Sequence, residues 1–258
     1  MKQTKGYAKN NYETLRNQIS SIQSMCYGVY GYRRMTAALN EKGYHVNHKL
    51  VRRLMKEEGL LCKCRNKSKS VVLSRFNTYA ESFGKKGEDL LKRDFSADYF
   101  GEKWATDMTK ISFDEKEVYL AIVIDLFNSE VVGYSLSDKP TLAGALQAIN
   151  YAHMKHDDVH PILHSDRGWF YCTDSYIGLL KRYGYRRSMS ETGSCYDNAV
   201  AESFFAQIKA EMVYPKTWST VSELKKEIHK YIKFYNNNRI KKELGYKSPV
   251  DYRIGAAS

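Results

Sequence analysis

A chain of 258 residues, 43% of them hydrophobic and 13% aromatic, has enough apolar material for one large core or two modest ones, which excludes global disorder. No apolar run approaches the ~20 residues that span a bilayer, the N-terminus lacks a signal-peptide core, and five irregularly spaced cysteines, with Cys62 and Cys64 one residue apart, fit neither a disulfide framework nor a zinc knuckle. The expectation is a soluble, reduced, intracellular protein with no membrane partner. The formal net charge of +12 is unevenly spread: residues 1–93 hold 20 Lys+Arg against 7 Asp+Glu, and the remainder 21 against 22, so the basic part faces a polyanion.

In chain order, Tyr12, Leu15, Ile19 and Ile22 recur at three- and four-residue spacing and predict a helix within 11–28. A second helix is expected from Gly31 to Leu39, broken at Gly43. Asn47 is a natural N-cap for a third, with Leu50, Val51, Leu54 and Met55 inward and Gly59 at its end. Two helices joined by Gly43-Tyr44-His45-Val46 match a helix-turn-helix unit. Its second helix turns Lys49, Arg52, Arg53 and Lys56 outward, side chains suited to phosphates and base edges. The alternative is a plain helical hairpin with a basic face. Residues 61–93 read as a basic linker, rich in Lys, Arg and Ser with Gly84-Lys85-Lys86-Gly87.

From about Asp94 the period changes. Trp104–Phe113, Glu117–Phe127 and Ser129–Leu136 predict three strands in an antiparallel meander, the second apolar enough to be covered on both faces. An alanine-rich helix (Thr141–His153), a fourth strand (Val159–His164) and helices at Ser175–Tyr183 and Asp197–Val213 follow. This is a ribonuclease-H-like mixed-sheet layout of the α/β class, with helices on both faces. Thr220-Val221-Ser222-Glu223 has capping-box form and opens a helix with Leu224, Ile228, Tyr231, Ile232 and Tyr235 along one stripe. The domains are therefore expected at 1–60 (helical, helix-turn-helix-like, DNA-binding), 61–93 (basic linker), 94–213 (ribonuclease-H-like core) and 214–258 (basic helical tail).

Three acids stand out. Asp107 lies in the first core strand, Asp166 just past the fourth, and Glu202 in a helix after 35 intervening residues. Strands one and four side by side in an open sheet bring both aspartates to one rim, with Glu202 on a helix beside it. Magnesium takes oxygen ligands and keeps waters, so one or two carboxylates per ion suffice, and two ions about 4 Å apart serve an in-line phosphoryl displacement. Each acid alone is more simply a solvated or capping residue. On the Glu202 helix, Val200, Ala201, Phe204, Phe205, Ile208 and Met212 fall on the opposite side, while Asn198 and Lys209 share the Glu202 face. Lys209 is thus a candidate phosphate contact near the scissile bond, or a solvated lysine. His164 reads as a hydrogen-bonded structural histidine, and Ser165 lacks the partners of a hydrolytic triad.

The stretches Tyr30-Gly31-Tyr32-Arg33-Arg34, Trp104-Ala105-Thr106-Asp107-Met108-Thr109, Ile124-Asp125-Leu126-Phe127, His164-Ser165-Asp166-Arg167-Gly168 and Ser188-Met189-Ser190 resemble bacterial insertion-sequence transposases. So do Cys195-Tyr196-Asp197-Asn198-Ala199-Val200-Ala201-Glu202-Ser203-Phe204-Phe205 and Leu244-Gly245-Tyr246-Lys247-Ser248-Pro249. The match is to the OrfB product of IS-three-family elements, from about residue 25 to the C-terminus. The resemblance implies a DDE transposase with a retroviral-integrase-like core, in which Asp107, Asp166 and Glu202 correspond to the catalytic, metal-holding acids. It implies strand transfer at 3′ hydroxyls with magnesium or manganese, action on terminal-repeat and target DNA, self-association, and an upstream-frame OrfA partner or fusion. Glu191-Thr192 departs from relatives that carry basic residues there. Two rival readings are a DNA-binding regulator or inhibitor of transposition with an inactive core, and a structure-selective nuclease.

Overall fold

The computed structural model describes residues 4–62, 87–190 and 199–256, with side chains from residue 12 onward. Most of the expected linker, together with Asp197, Asn198 and the Glu191-Thr192 departure, lies outside the described residues. Those described fall into two compact units. One joins the N-terminal helices to residues 233–252; the other holds residues 87–232 and 253–256. The segment expected as a single C-terminal tail is therefore shared between them.

In the first unit α1 (Thr4–Met25), α2 (Tyr32–Glu41) and α3 (His48–Glu57) pack through Leu15, Ile19, Ile22, Met35, Leu39, Val51, Leu54 and Met55, all buried. The reason α3 starts where it does is chemical: Asn47 Oδ1 accepts the Lys49 amide at 2.8 Å, satisfying one of the amides that a helix leaves open at its start. Gly43, at φ +84°, makes the turn that ends α2 and lets Tyr44 N reach Leu39 O at 3.1 Å. Arg16 of α1 pairs with both Glu57 and Glu58 at the end of α3. The C-terminal segment is tied in by Tyr30, whose buried hydroxyl donates to Asn238 O (2.6 Å) and accepts from Ile240 N (3.0 Å). Gln23 Nε2 donates to Gly28 O and Leu60 O, both at 3.0 Å, closing the ends of the helical hairpin.

The second unit is built on a five-stranded sheet in the order β3-β2-β1-β4-β5. Strands β1 (Lys103–Phe113), β2 (Lys116–Asp125) and β3 (Val131–Ser137) form the antiparallel meander. Strand β4 (Ile162–Ser165) adds in parallel to β1, and β5 (Arg186–Met189) in parallel to β4. Helix α4 (Leu142–Lys155) packs on β3 and β2, and Gly133 makes this possible: a Cβ there would stand 2.2 Å from Ala148 O. On that face Ala145, Ala148, Ile149 and Ala152 of α4 and Tyr176 and Leu180 of α5 (Asp174–Arg182) share a core with Trp104, Val123 and Leu163. Helix α6 (Ala199–Ile208) packs on β1 and β2 and buries Ala201, Phe204, Phe205 and Ile208. Burying the sixteen residues of the α4/α5-side core, at about 25 cal/mol per Å² of apolar surface, is what holds those helices on the sheet. Helix α7 (Val221–Asn237) opens with Thr220 Oγ1 accepting from Glu223 N at 3.1 Å, half of the expected box; Glu223 answers to Ser219 N (3.0 Å) rather than Thr220. The chain ends in α8 (Pro249–Ala256).

Candidate active site and nucleic-acid interface

The parallel register of β1 and β4 pairs Thr106 with Ser165, so the next residues, Asp107 and Asp166, emerge side by side at the carboxyl end of β4. Side chains alternate along a strand, and Trp104 and Leu163 belong to the α4/α5 face, which leaves Asp107 on the other. The Asp166 turn is fixed by its own chemistry: Oδ1 accepts the Gly168 amide at 2.8 Å, and Arg167 Nε donates to Ser190 O at 2.7 Å. Gly168 then leads into a 3-10 turn, Trp169–Cys172. A Cβ at Gly168 would meet Asp166 Oδ1 at 2.9 Å and the Tyr171 ring at 3.5 Å, so that glycine is required by the close approach of carboxylate and ring.

Glu202 is half-buried in the first turn of α6, the helix that packs on β1. Among the described residues no three His, Cys, Asp or Glu side chains gather closely enough to hold a metal ion. The two aspartates are thus neighbours by strand register, and the glutamate is not drawn into a three-carboxylate cluster with them.

Lys209 sits where the helical face predicts, two turns beyond Glu202, but that stretch of the face lies over β1 rather than in solvent. Its Nζ is buried and donates to Thr109 Oγ1 at 2.8 Å. Burial pulls the ammonium below its ordinary value, and the charge of Asp107 opposes that shift. Lys209 also opens a π turn, Lys209–Val213, in which Tyr214 N reaches back five residues to Lys209 O at 2.9 Å, a feature with no signature in the apolar pattern.

His164 is wholly buried, its ring nitrogens 2.9 Å from Ser188 Oγ and 3.1 Å from Ser190 Oγ, an arrangement that ties β4 to β5. Asp125, at the end of β2, accepts from Trp104 Nε1 and Gly101 N through Oδ2 and from Phe127 N through Oδ1, each at 2.8 Å. Burial nonetheless pushes its carboxyl up to about 6, against the pull of those donors.

Two tyrosines were not anticipated. Tyr171 and Tyr176 are buried on the α4/α5 face beneath the same strand ends. Burial first, then the negative charges of Asp107 and Asp166, raises the Tyr171 phenol far above its ordinary value, so its O–H stays protonated. The one local signal for Tyr171 is its place five residues after Asp166, directly beyond the glycine turn.

In the first unit Lys49, Arg52, Arg53 and Lys56 are all exposed on α3. The guanidinium of Arg52 lies 5.7 Å from the Tyr32 ring centre, as does that of Arg33, and the Arg53 guanidinium lies 5.8 Å from Tyr12. Arg53 also approaches Glu57 at 3.8 Å, an exposed contact too solvated to neutralise it. No helix among the described residues is long and apolar enough to cross a membrane.

Comparison with known proteins agrees with this geometry. Residues 11–68 match the HTH-like domain, and residues 100–195 and 202–255 match two integrase core domain models. InsK, of insertion sequence element IS150 in Escherichia coli (strain K12), is 39% identical over 245 residues, covering 95% of this chain and 84% of the relative. Transposase InsF of insertion sequence IS3A, from the same strain, is 35% identical over 225 residues, covering 86% and 76%. A chain of the simian T-cell lymphotropic virus intasome, solved in complex with PP2A regulatory subunit B56 gamma, superimposes with a TM-score of 0.54 at 11% identity over 91% of this chain and 74% of that one, a likeness of fold alone.

Proposed function

This chain belongs to the insertion-sequence transposases of the IS3 and IS150 type, DNA polynucleotidyl transferases with an integrase core, and we propose that Asp107, Asp166 and Glu202 are its catalytic acids. The observation that supports this most directly is the β1–β4 register, which sets two carboxylates side by side at the open end of a parallel strand pair. Hard oxygen donors in that position suit magnesium or manganese, which Asp107 and Asp166 would hold, with Glu202, on the helix against β1, as a further ligand. Two bound cations supply Lewis-acid activation of the attacking oxygen and charge stabilisation of the leaving one. The protein's own part is to hold the acids in place: the strand ladder fixes Asp107, the Gly168 and Arg167 contacts fix Asp166, and α6 carries Glu202.

The reaction is two successive in-line displacements at phosphorus. Water attacks the phosphodiester at the end of the element and the 3′ oxygen leaves; that freed 3′ hydroxyl then attacks a target strand, releasing a new 3′ oxygen. No covalent bond to the enzyme forms, consistent with a rim of carboxylates that lacks an activated nucleophile. The exposed basic face of α3, with Lys49, Arg52, Arg53 and Lys56, contacts terminal-repeat DNA through phosphates and base edges. Joining two DNA ends requires more than one active chain, so self-association belongs to this reading, as does an upstream-frame OrfA partner for end recognition. Lys209 is left out of the DNA contacts because its ammonium is buried on Thr109.

The test uses purified full-length chain, magnesium, and a labelled duplex carrying the repeat end that flanks its own reading frame. Asp107→Asn, Asp166→Asn and Glu202→Gln are each expected to remove both nicks and strand-transfer products while DNA binding persists. Metal-dependent cleavage retained by any of the three removes that residue from the catalytic set. Binding without nicking by the native chain, even with the upstream-frame product present, would instead mark a regulator with an inactive core.

A further inference from the structure

Strands β4 and β5 carry buried polar side chains on the sheet face that bears Asp107. Leu163 and Met189 belong to the α4/α5 core, so alternation turns His164 and Ser188 to the opposite face, and Ser190 follows two residues on. Ser190 grips the chain on either side of Asp166: its amide donates to Ser165 O at 3.1 Å, and its carbonyl accepts from Arg167 Nε at 2.7 Å. Four contacts in series set the Ser190 side chain. Leu90 N donates to Ser188 Oγ (2.9 Å), and Ser188 Oγ lies 2.9 Å from His164 Nδ1. His164 Nε2 lies 3.1 Å from Ser190 Oγ, which donates to Ser165 O (3.4 Å). All three side chains are buried, and Phe95 stands edge-on to the imidazole at 5.7 Å.

A neutral imidazole has one donor and one acceptor nitrogen. With the proton on Nε2, Ser188 Oγ donates to Nδ1, Nε2 donates to Ser190 Oγ, and Ser190 Oγ donates to Ser165 O, so every proton in the series has an acceptor. The reverse tautomer aims Nδ1–H at Ser188 Oγ and leaves the Ser188 proton no acceptor within the series. Main-chain pairing already joins β4 to β5, so what this network adds is orientation: a satisfied buried network fixes one arrangement. Asp166 stands one residue past β4, beyond the last register pair, Ser165 with Met189, where the ladder no longer restrains it.

We propose that Ser190 is a positioning residue for Asp166, gripping Ser165 and Arg167 on either side of it, and that His164, as the Nε2–H tautomer, holds Ser190 in that pose. The inference rests on the reading of Asp166 as a metal ligand. Removing an outer contact that orients a ligand typically costs about 10–100-fold in metal affinity or activity.

The experiment compares native chain, Ser190→Ala, Ser190→Thr and Asp166→Asn, all full length. Manganese binding is read by calorimetry on a nicked repeat-end duplex, cleavage by single-turnover assay on the intact duplex, and folding by thermal denaturation. The His164 tautomer is read by nitrogen NMR of histidine-labelled, metal-free chain, with His164→Gln to assign the resonance. Ser190→Ala is expected to melt close to the native temperature, to bind manganese about tenfold more weakly and to cleave about tenfold more slowly, with unchanged DNA affinity. Ser190→Thr, which keeps the hydroxyl, is expected within about threefold of native in both, and His164 is expected to carry its proton on Nε2. Native manganese affinity and cleavage rate in Ser190→Ala overturn the proposal, as does a loss in Ser190→Thr equal to that in Ser190→Ala, or a proton on Nδ1. Should Ser190→Ala melt lower, the calorimetry is repeated at a temperature where both chains are fully folded; weakened binding there supports the proposal and native binding overturns it. If Asp166→Asn itself keeps native metal binding and cleavage, the reading of the acids fails first. If it loses both while Ser190→Ala keeps both, only the role of Ser190 fails.

Discussion

The rim of the core and the outer face of α3 place charge in opposite ways. At the rim, Asp107 and Asp166 are half-buried, as is Glu202 on α6, and strand register, a glycine turn and an arginine contact to Ser190 fix the Asp107–Asp166 pair. On α3, Lys49, Arg52, Arg53 and Lys56 are exposed, and rings or an exposed carboxylate steady only the arginines. The difference fits the roles proposed for each. Phosphoryl transfer depends on atoms held to within fractions of an ångström, whereas attraction to a DNA backbone needs only charge in water near a phosphate. Single changes at the rim should therefore cost far more than single changes on the helix.

The largest expected effect is the loss of an acid. Removing one charged ligand at a phosphoryl-transfer centre should slow cleavage by about a thousandfold or more, with repeat-end affinity, measured by gel shift, within about threefold of native. Next comes a test of how tightly the rim is set. Gly168→Ala pushes a methyl to 2.9 Å from Asp166 Oδ1, and a displacement of that kind should cost about a hundredfold in cleavage rate with little change in melting temperature. A native rate in this variant would show that the Asp166 turn has slack that the comparison denies it.

Asp125 supplies a stability test away from the rim. Its folded carboxyl titrates at about 6, above the ordinary carboxylate value, so the folded state holds that proton more tightly than the unfolded chain does. The contribution is present in full below the unfolded pKa near 4 and is lost as pH rises through about 6, an amount of roughly 3 kcal/mol at 1.4 kcal/mol per unit. Denaturant titration of the chain from pH 4 to pH 7 should show that decline. Asp125→Asn should flatten it, at the cost of the acceptor shared by Trp104 Nε1 and Gly101 N or of the one for Phe127 N. A slope that survives in Asp125→Asn would assign it elsewhere.

The smallest effect belongs to α3. Arg52→Ala and Arg53→Ala should each lower repeat-end affinity by about an order of magnitude at 0.1 M salt and reduce the logarithmic salt slope by about 1, with cleavage of saturated complexes unchanged. A salt slope equal to native in the double variant would move the DNA-binding face off α3.

Which parts of this were legible in the sequence follows from the range of the interactions. Asn47 announced the start of α3, Gly43 and Gly59 its flanking turns, and the continuous apolar run of the second strand between turn residues the three-strand meander, because caps, turns and strand runs act over a few residues. The adjacency of Asp107 and Asp166 was inferable from the order of elements. Strand β5 was not: Arg186-Arg187-Ser188-Met189 has no apolar run, and it is a strand because β4 offers it a free edge. Nor was the burial of Lys209, since a helical wheel gives the direction of a side chain but not what lies above it. The tie between Tyr30 and residues 238 and 240 spans more than two hundred positions and leaves no local mark.

The most direct test of the account is anomalous scattering at the manganese edge from crystals of the chain bound to manganese and a nicked repeat end. The account predicts manganese between the Asp107 and Asp166 carboxylates, with the Glu202 carboxylate among its ligands. Manganese bound away from Asp107 and Asp166, or bound there with Glu202 turned out of reach, would contradict it.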